Sequence, residues 1–317
     1  MPVSELIQPE RLLNEFSPGE PYLIGVSGGR DSVALLHQLV SSGYHRLIVC
    51  HVNHRLRGRS SDADVRFVEK LAAKYNLDFT SCAVAVKTVA KRRKLSIEAA
   101  ARSARYEFFA QIARRRRCRT IFLAHHADDL VETFLINLFR GAGSAGLGSI
   151  RALSKHRIGE VTLDVVRPML AVWRTDIDSY VKRHRLAFRE DASNRELTPL
   201  RNRVRHSILP YLEKSAGRGI RSNIWRTAVI LAEEEDFFAE LVPKINGDIG
   251  LKTLRKMAVA LQRRTLHTWL RSANIPDVGF EVIERVRRLL DPAAGPARTN
   301  LPRDRYVRRR AGKLFLE

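Results

Sequence analysis

The first 125 residues alternate between short apolar runs and segments of helical periodicity, which restricts the fold more than any other feature of the sequence. Apolar runs occur at 22–26, 47–52, 79–86 and 120–124. Apolar residues at helical spacing follow at 32–40, 62–75, 96–117 and 128–139. Strands separated by helices of this length form parallel βαβ units, so we predict an α/β fold with a doubly wound, mainly parallel sheet. In such folds ligands bind at the carboxyl ends of the strands.

The remainder of the chain is predicted to complete this domain and to add a smaller, mostly helical one. Residues 161–169 predict a strand or hairpin, 190–200 are polar and irregular, and a helix at 202–214 tolerates Pro210 only as a break or kink. The glycines of 215–219 predict a linker. Further helices are predicted at 174–185, 223–241, 254–270 and 280–290, with a strand-like tail at 306–316. We therefore predict two domains, 1–215 and 223–317.

The charge of the chain favours a polyanionic partner. Among 317 residues there are 56 Lys and Arg against 34 Asp and Glu, a formal net charge of +22 at pH 7. Residues 1–222 hold 38 basic and 22 acidic residues, and residues 223–317 hold 18 and 12. Such self-repulsion does not stabilise a fold, whereas binding RNA or DNA would release counterions from phosphates. A basic proteome, in which every surface is arginine-rich, is the alternative interpretation.

Cysteine content and hydropathy predict a cytoplasmic protein without membrane association. Cys50, Cys82 and Cys118 are odd in number and far apart, which argues against a disulfide framework and against a Cys-x-x-Cys metal or iron–sulfur site. No apolar run approaches the roughly 18 residues of a membrane helix. Residues 1–10 lack the basic start of a cleaved signal peptide.

A glycine-rich segment, 27–32 (SGGRDS), stands between the first predicted strand and the first predicted helix. Glycines let the backbone fold tightly with successive N–H groups pointing inward, and the helix amino terminus lies behind them. The segment therefore predicts an anion cradle. The Gly-Lys-Ser/Thr ending of a Walker A loop and the Gly-x-Gly-x-x-Gly dinucleotide pattern are both missing. A glycine turn capped by serine, without a ligand, is the alternative.

Seven further strings follow in order: 51–57 (HVNHRLR), 98–106 (EAAARSARY), 124–133 (AHHADDLVET), 140–143 (RGAG), 167–170 (RPML), 190–194 (EDASN) and 201–206 (RNRVRH). The glycine-rich segment resembles the PP-loop of the ATP pyrophosphatase superfamily. Together, the strings resemble the tRNA(Ile)-lysidine synthetase family in its short form. The likeness covers about residues 20–215 strongly and the helical remainder more loosely.

This resemblance implies an ATP-dependent carbon–nitrogen ligase that converts C34, the wobble cytidine of the CAU anticodon of tRNA(Ile), into lysidine. The cytidine O2 would attack the α-phosphate of ATP, giving an O2-adenylated cytidine and pyrophosphate. The ε-amine of L-lysine would then attack C2 and release AMP. The resemblance also implies Mg²⁺, a catalytic domain at 1–215 and a tRNA-binding domain at 223–317, and homodimerisation stays open.

The resemblance assigns a nucleotide site to the residues of the glycine-rich segment, namely Ser27, Gly28, Gly29, Arg30, Asp31 and Ser32. These residues would wrap the β- and γ-phosphates, with Asp31 as a catalytic carboxylate that holds Mg²⁺. His51 and Asn53 would contact the adenine, although a packed polar cap at a strand end is the alternative. Arg105 would neutralise charge on the α-phosphate, with Arg102 secondarily facing the nucleotide.

Acidic and basic residues further along are assigned to L-lysine and tRNA. Asp129 and Glu132, three residues apart on one helical face, would bind the ammonium groups of lysine, with Asp129 catalytic. Acids favoured by the helix dipole are the alternative there. Arg201, Arg203 and Arg205 would contact RNA or phosphate, against the alternative of a solvated basic face. Residues 114–117 (RRRR) are interpreted as a helix C-terminal cap rather than an RNA contact.

The same residues argue against several other functions. His125 and His126 suggest zinc superficially, but adjacent histidines point in different directions and the His-x-x-x-His spacing is absent. A tRNA sulfur transferase would need cysteine pairs, and a small-molecule amidating ligase would not need the high charge. A basic RNA-binding module with an inactive nucleotide fold is opposed by the intact 27–32 segment and Asp129.

Overall fold

The computed structural model describes residues 6–7, 14–56, 59–189, 200–217, 219–245, 247–291, 293 and 297–317, with only the backbone described at 59–60. The 190–194 string, residue 57 of the 51–57 string and residue 218 of the predicted linker lie outside the described residues. The chain divides into two compact units, Met1–Ala232 and Glu233–Glu317. None of the helices in the described ranges combines the length and the apolar composition that crossing a bilayer requires.

The described part of the first unit contains a six-stranded sheet in the order β3-β2-β1-β4-β6-β5. The strands are β1 (Tyr22–Gly25), β2 (Leu47–Asn53), β3 (Asp78–Ala83), β4 (Thr120–Phe122), β5 (Leu153–Ile158) and β6 (Val161–Val166). Neighbouring strands are parallel except for β5, which pairs antiparallel with β6 at the edge. The predicted mainly parallel sheet is therefore confirmed.

Helices connect these strands and continue after them. Those of the first unit are α1 (Arg30–Ser41), α2 (Arg59–Lys74), α3 (Val86–Arg93), α4 (Ile97–Arg116), α5 (Ala127–Phe139), α6 (Ser144–Leu147), α7 (Arg174–Arg183), α8 (Leu200–Arg203) and α9 (Leu209–Ala216). A π-helical turn, Val204–Ile208, lies between α8 and α9. Helix α10 (Ile220–Leu241) begins in the first unit and ends in the second.

Both faces of the sheet are covered, as a doubly wound fold requires. Successive residues of a strand point to opposite faces, and Leu23 and Ile24 of β1 are both fully buried. Ile24 belongs to a cluster with Leu35 of α1, Val68 of α2 and Ile177 of α7, whereas Leu23 packs with Phe109 of α4. Strand order reverses direction at β1, which places a ligand crevice beside its carboxyl end.

Two elements of the first unit differ from the sequence prediction. The strand predicted at 79–86 ends at Ala83, because Val86 turns inward as the first residue of α3 and packs with Ala90 and Ala100. The helix predicted at 202–214 is divided into α8, the π-helical turn and α9, and Pro210 stands in the first turn of α9. A proline fits there because the amides of a first turn have no intrahelical acceptor.

The second unit combines helices with a small sheet. Its helices after α10 are α11 (Leu251–Lys256), α12 (Val259–Ser272) and α13 (Phe280–Arg288). The described strands are β7 (Ile249–Gly250), β8 (Arg298–Leu301), β9 (Arg305–Arg310) and β10 (Lys313–Leu316), antiparallel in the order β7-β10-β9-β8. Trp269, Val286 and Val307 lie in its core. The helices predicted at 223–241 and 280–290 are confirmed, whereas the one predicted at 254–270 is divided into α11 and α12. The predicted strand-like tail is part of this sheet.

Candidate active site

A cavity of about 310 Å³ opens at the carboxyl ends of β1, β2 and β4. Its position is the crevice that the strand order predicts. The predicted site residues that line it are Ser27, Gly29, Asp31, Ser32, His51, Asn53 and Arg105. His54, His125, Ser61 and Asp64 line it as well, with apolar side chains that include Phe109 and Leu123. The cavity therefore joins the glycine-rich segment to the 51–57 and 124–133 strings.

Gly28 is required by the backbone of the loop between β1 and α1. Its φ is +89°, in the left-handed region that a side chain disfavours. A Cβ at this position would also lie 3.3 Å from Val68 Cγ2 and 3.4 Å from Phe67 Cδ1 of α2. The loop consequently needs glycine for both its conformation and its close packing on α2.

The two serines of the segment hold the loop in shape. The Ser27 amide donates to Ser32 Oγ at 3.2 Å, and the Gly29 amide donates to Ser27 Oγ at 3.2 Å. Ser32 Oγ donates in turn to the Gly29 carbonyl at 2.9 Å. Gly29 is the N-cap of α1 and provides no side-chain cap, so the first-turn amides have no capping acceptor from that residue.

Arg30 and Asp31 point in different directions from the loop. The guanidinium of Arg30 pairs with Asp178 and lies 5.0 Å from the centroid of the Phe188 ring. Asp31 faces the site: its Oδ1 is buried without a hydrogen-bond donor, and its Oδ2 lies 4.0 Å from Arg174 Nη1. Burial raises the pKa of Asp31. The carboxylate is thus next to the glycine-rich loop with one oxygen available.

His126 connects the glycine-rich loop to the acids of α5. Its Nε2 lies 3.8 Å from Asp31 Oδ2 and 3.5 Å from Asp129 Oδ2, and its side chain is 2% exposed. Burial by itself lowers the pKa of His126, but Asp128, Asp129 and Asp31 outweigh it and raise that pKa. A shared imidazolium between two carboxylates reduces their repulsion. The sequence left this histidine without a role once zinc was disfavoured.

His51 and Asn53 occupy the end of β2, as predicted. His51 Nδ1 lies 2.8 Å from the Val26 carbonyl, which can only accept, so Nδ1 carries the proton. Burial lowers the pKa of His51, and the neutral ring therefore has Nε2 as an acceptor toward the cavity. Asn53 Nδ2 donates to Asp62 Oδ1 at 3.0 Å, and Asn53 Oδ1 accepts from the Arg55 amide at 2.9 Å. The Asn53 side chain thus shapes the loop after β2.

Arg105 lines the cavity with a buried Nε that has no hydrogen-bond acceptor. Its neighbour in the cavity wall is His125, whose pKa burial lowers to about 3. His54 has a pKa lowered to about 4, first by burial and then by the charge of Arg105. Both histidines are neutral at pH 7, so Arg105 is the main positive group of this wall. Arg102, in contrast, is exposed and does not line the cavity.

Asp128 and Asp129 differ in role although they are adjacent. Asp128 accepts from Arg221 Nη1 at 2.8 Å and from the Arg174 amide at 3.0 Å, and its pKa is low because these groups and His126 outweigh burial. It therefore ties α5 to α7 and α10. Among the described residues, Asp129 accepts a hydrogen bond only from the His126 amide, at 3.1 Å. It stays ionised, since charged neighbours outweigh burial and lower its pKa.

Glu132 is occupied by arginine rather than open to a substrate. Arg205 Nε and Nη2 donate to its two oxygens at 2.6 and 3.0 Å, and the Glu132 side chain is 1% exposed. Arg205 Nη2 also lies 3.8 Å from Asp129 Oδ1. Arg201 approaches Glu132 at 3.9 Å and donates to Thr133 Oγ1 at 2.8 Å. Two of the three predicted RNA-binding arginines thus face the acids of α5.

Helical spacing explains why the three arginines separate, because residues four apart share one face and the residue midway between them faces away. Arg205 lies in the π-helical turn, a kind of winding that often marks functional sites. Arg203, at the end of α8, is exposed. Of the three, Arg203 is the one that stays directed to solvent.

Removing Arg205 should destabilise the fold in a pH-dependent way. In Arg205→Met the free energy of unfolding at pH 8 should fall by about 3 kcal/mol, because Glu132 remains buried and charged. Burial already raises the pKa of Glu132, and losing Arg205 raises it further. The deficit therefore shrinks as the pH falls through that pKa and Glu132 takes up a proton. Urea unfolding at pH 8 and pH 5 measures both values.

The matched control for this change is the double variant Arg205→Met with Glu132→Gln. Without the buried charge at position 132 the double variant should recover most of the stability at pH 8. An equal deficit at both pH values, or a double variant no more stable than Arg205→Met, would contradict the pairing.

Several residues of the site escaped the sequence prediction. Arg189 pairs with Asp64 beside the cavity, and its amide donates to the Gly28 carbonyl at 3.0 Å. Arg174 approaches Asp31 from α7. Each contact joins segments more than 100 residues apart, so local spacing carries no signal for it. Arg167 was visible within the 167–170 string, but that string alone assigns it no task.

A metal centre held by protein side chains alone, and thiol chemistry, find little support in the described part of the chain. No three His, Cys, Asp or Glu side chains come together there in a way that could hold a metal ion. Cys50 and Cys118 are buried free thiols, and Cys82 is a half-buried free thiol. The zinc interpretation of the 124–133 string is therefore not supported.

Both parts of the chain match known protein families. Residues 4–212 match the PP-loop domain family, and residues 251–315 match the TilS substrate binding domain. A U34-tRNA thiolase of Methanococcus maripaludis superposes with a TM-score of 0.55 at 18% identity, over 71% of this chain and 78% of that one. That likeness concerns the fold alone.

Relatives of higher identity share one name. The tRNA(Ile)-lysidine synthase of Geobacter sulfurreducens is 38% identical over 97% of this chain and 68% of its own length. That of Chlorobaculum tepidum is 34% identical over 87% of this chain and 85% of its own. That of Solibacter usitatus is 32% identical over 90% of this chain and 65% of its own length. Because of these matches, and because residues 4–212 match the PP-loop domain, the chain belongs to the tRNA(Ile)-lysidine synthase family.

Proposed function

We propose that this chain is an ATP-dependent ligase that converts C34 in the CAU anticodon of tRNA(Ile) into lysidine, using ATP and L-lysine. The observation that carries the proposal is the line of contacts from Asp31 through His126 to Asp129. Because His126 lies between Asp31 and Asp129, only one side chain separates the loop that would bind phosphate from a carboxylate that suits an ammonium group. An enzyme that activates a base with ATP and then adds an amine needs both sites side by side.

The loop between β1 and α1 suits the phosphates of ATP. Its first-turn amides lack a side-chain cap, and a helix amino terminus binds anions well. Gly28 and Gly29 keep the backbone open to close approach. The Nε2 of neutral His51 can accept a hydrogen bond from the adenine amino group. Together these groups would bind the nucleotide across the cavity, with the α-phosphate left toward Arg105.

Asp31 fits a magnesium ion that arrives with the nucleotide. Its Oδ1 is buried without a donor, and Mg²⁺ prefers one or two carboxylates combined with substrate phosphates and water. Bound there, Mg²⁺ would supply Lewis-acid stabilisation of phosphate charge. The protein's own part is to hold Asp31 in place through His126 and Arg174.

The first chemical step joins the RNA base to the nucleotide. The cytidine O2 forms a bond to the α-phosphorus while the bond to pyrophosphate breaks, which gives O2-adenylated cytidine and pyrophosphate. Arg105, whose Nε has no partner in the cavity wall, would stabilise the negative charge that develops on the α-phosphate. C34 has to leave the anticodon stack to reach this position.

The second step replaces the activated oxygen by lysine. The ε-nitrogen forms a bond to C2, the C2–O2 bond breaks, AMP leaves with O2, and the amine loses a proton. Asp129 stays ionised, so it would bind and orient the ammonium group rather than act as a strong base. Glu132 would serve mainly by holding Arg205 beside Asp129. Of the arginines in the 201–206 string, Arg203 is the one that would contact RNA.

The test is incorporation of radiolabelled lysine into a tRNA(Ile) transcript with the CAU anticodon. With ATP present, label should enter the RNA, and one AMP and one pyrophosphate should form for each lysine. A transcript of the same body with a GAU anticodon is the control and should stay unlabelled, because it lacks C34. Formation of ADP, or no label in the CAU transcript, would overturn the proposal.

A further inference from the structure

A second group of basic side chains lies beside the cavity, toward the β5 edge of the sheet. We call it the arginine–tyrosine cluster and define it as Arg102, Arg105 and Tyr106 of α4, His156 of β5, and Arg167 after β6. Arg105 is also part of the cavity wall, so the cluster adjoins the cavity at this residue. The remaining members have no role in the proposed reaction.

The cluster is continuous through ring and hydrogen-bond contacts. The Tyr106 ring stacks on His156 with centroids 4.9 Å apart and planes 29° apart. The guanidinium carbon of Arg102 lies 5.0 Å from the Tyr106 centroid, and that of Arg105 lies 5.9 Å from it. On the other side, Ser154 Oγ lies 3.1 Å from His156 Nε2 and accepts from Arg167 Nη1 at 2.8 Å.

The positive charge of this cluster is not balanced by protein carboxylates. Within the described ranges, Arg102, Arg105 and Arg167 form no ion pair with Asp or Glu. The hydrogen-bond partners of the Arg167 side chain are uncharged groups, namely the Arg151 carbonyl, Ser154 and Tyr106. Arg167 is nevertheless only 4% exposed. Burial, and then the neighbouring arginines, lower the pKa values of Arg105 and His156. Buried charge of one sign is costly without a counter-charge, so the cluster is built for an anion.

The position of the cluster distinguishes two sources of phosphate. The loop that suits the ATP phosphates follows β1, whereas Arg167 follows β6, two strands away and therefore about 10 Å distant at a strand spacing of about 4.8 Å. Arg102 is exposed outside the cavity. When a nucleotide is flipped into a pocket its base enters while its backbone stays at the rim. The rim next to Arg105 is where a flanking phosphodiester would lie.

We propose that the arginine–tyrosine cluster binds a backbone phosphate of the tRNA anticodon loop next to the wobble nucleotide, with Arg102 as the solvent-facing contact and Arg167 as the buried one. This inference rests on the proposed tRNA substrate. It assigns RNA binding to a surface that none of the predicted RNA-binding residues occupies. Tyr106 and His156 hold the guanidinium groups in a fixed arrangement, and planar guanidinium groups suit phosphate oxygens.

Arg102→Ala tests the proposal, because Arg102 is exposed and its loss should leave folding intact. Binding of the CAU transcript is measured by fluorescence anisotropy over a range of salt concentrations, and ATP binding by calorimetry without RNA. The variant should bind the transcript about tenfold more weakly. The slope of log K against log salt should become shallower by about 0.7, the value for one phosphate of a single strand. Arg102→Lys should restore the slope, and ATP affinity should not change.

Arg157→Ala is the matched control. Arg157 is an exposed arginine of β5 that donates to the Gly159 carbonyl and faces away from His156. The Arg157→Ala variant therefore removes one positive charge, as Arg102→Ala does, but outside the cluster. An Arg102→Ala variant that matches Arg157→Ala in both affinity and slope would overturn the proposal. So would weaker ATP binding with an unchanged RNA slope, because the phosphate would then be the nucleotide's.

The outcome is separable from that of the proposed function. If wild-type protein incorporates no lysine but its RNA affinity depends on Arg102, the phosphate site stands and the ligase reaction fails. If lysine is incorporated but Arg102 has no effect beyond the Arg157 control, the ligase reaction stands and the phosphate site fails.

Discussion

Asp129→Asn should lower kcat/KM for lysine by about 100-fold or more, because truncating one partner of a buried charge pair costs several kcal/mol. The asparagine has the same size, and its carbonyl can still accept the His126 amide, so the start of α5 should remain intact. What disappears is the negative charge that would bind the ammonium group. Lysine incorporation at varied lysine concentrations measures the effect, and ATP binding by calorimetry should stay close to wild type.

Asp176→Asn is the matched control for this change. Asp176 occupies the corresponding position of α7, where its Oδ2 accepts the Trp173 amide at 3.3 Å, but it is not among the residues of the site. Its variant should keep full lysine incorporation. If Asp129→Asn transfers lysine as well as Asp176→Asn does, Asp129 does not bind the amine.

The second large effect is expected at Gly28. Gly28→Ala should reduce kcat/KM for ATP by about 100-fold, since displacing a phosphate-binding group by about 1 Å can cost that much. The new Cβ would meet Val68 and Phe67 of α2, and φ is +89°. Relief of this contact moves the loop rather than the buried helix. Steady-state formation of AMP at varied ATP concentrations measures the loss.

Gly43→Ala is the control that separates the effect of backbone strain from the effect of displacing the loop between β1 and α1. Gly43 has the same φ of +89°, but a Cβ there would meet no atom within 4 Å. Both variants should lose stability by about 1–2 kcal/mol, the penalty for a left-handed residue with a side chain. Only Gly28→Ala should lose activity. Comparable activity in the two variants would mean that the loop does not position ATP.

The strand and helix pattern of the first 140 residues was accessible from sequence because burial on both sheet faces leaves a local signature. Leu23 and Ile24 are both buried, so β1 is a continuous apolar run, whereas β5 alternates between exposed and half-buried residues. An edge strand of this kind has little apolar signal, and only its pairing with β6 revealed it. Helix α3 was missed because its start, Val86, continues an apolar run from β3.

The conformation of the glycine-rich loop was predictable because it depends on the local backbone. Gly28 and the serines at 27 and 32 perform local tasks within six residues, so the motif itself contains the information. Side-chain roles were less predictable. Arg30 belongs to the motif but pairs with Asp178, while Arg174, from a distant helix, approaches Asp31. Glu132 fits an ammonium-binding pattern on α5 yet is occupied by Arg205.

By itself the sequence determined the parallel sheet, the position of the glycine-rich loop and the resemblance to a family, because each depends on residues close together in the chain. Only the tertiary structure decided which charges meet. Arg205 and Glu132 are 73 residues apart, and His126 reaches Asp31 across the crevice between two strands. Such pairings arise when packed strands and helices bring their ends to one edge of the sheet, and the strength of an ionic contact depends on a distance that no local pattern contains.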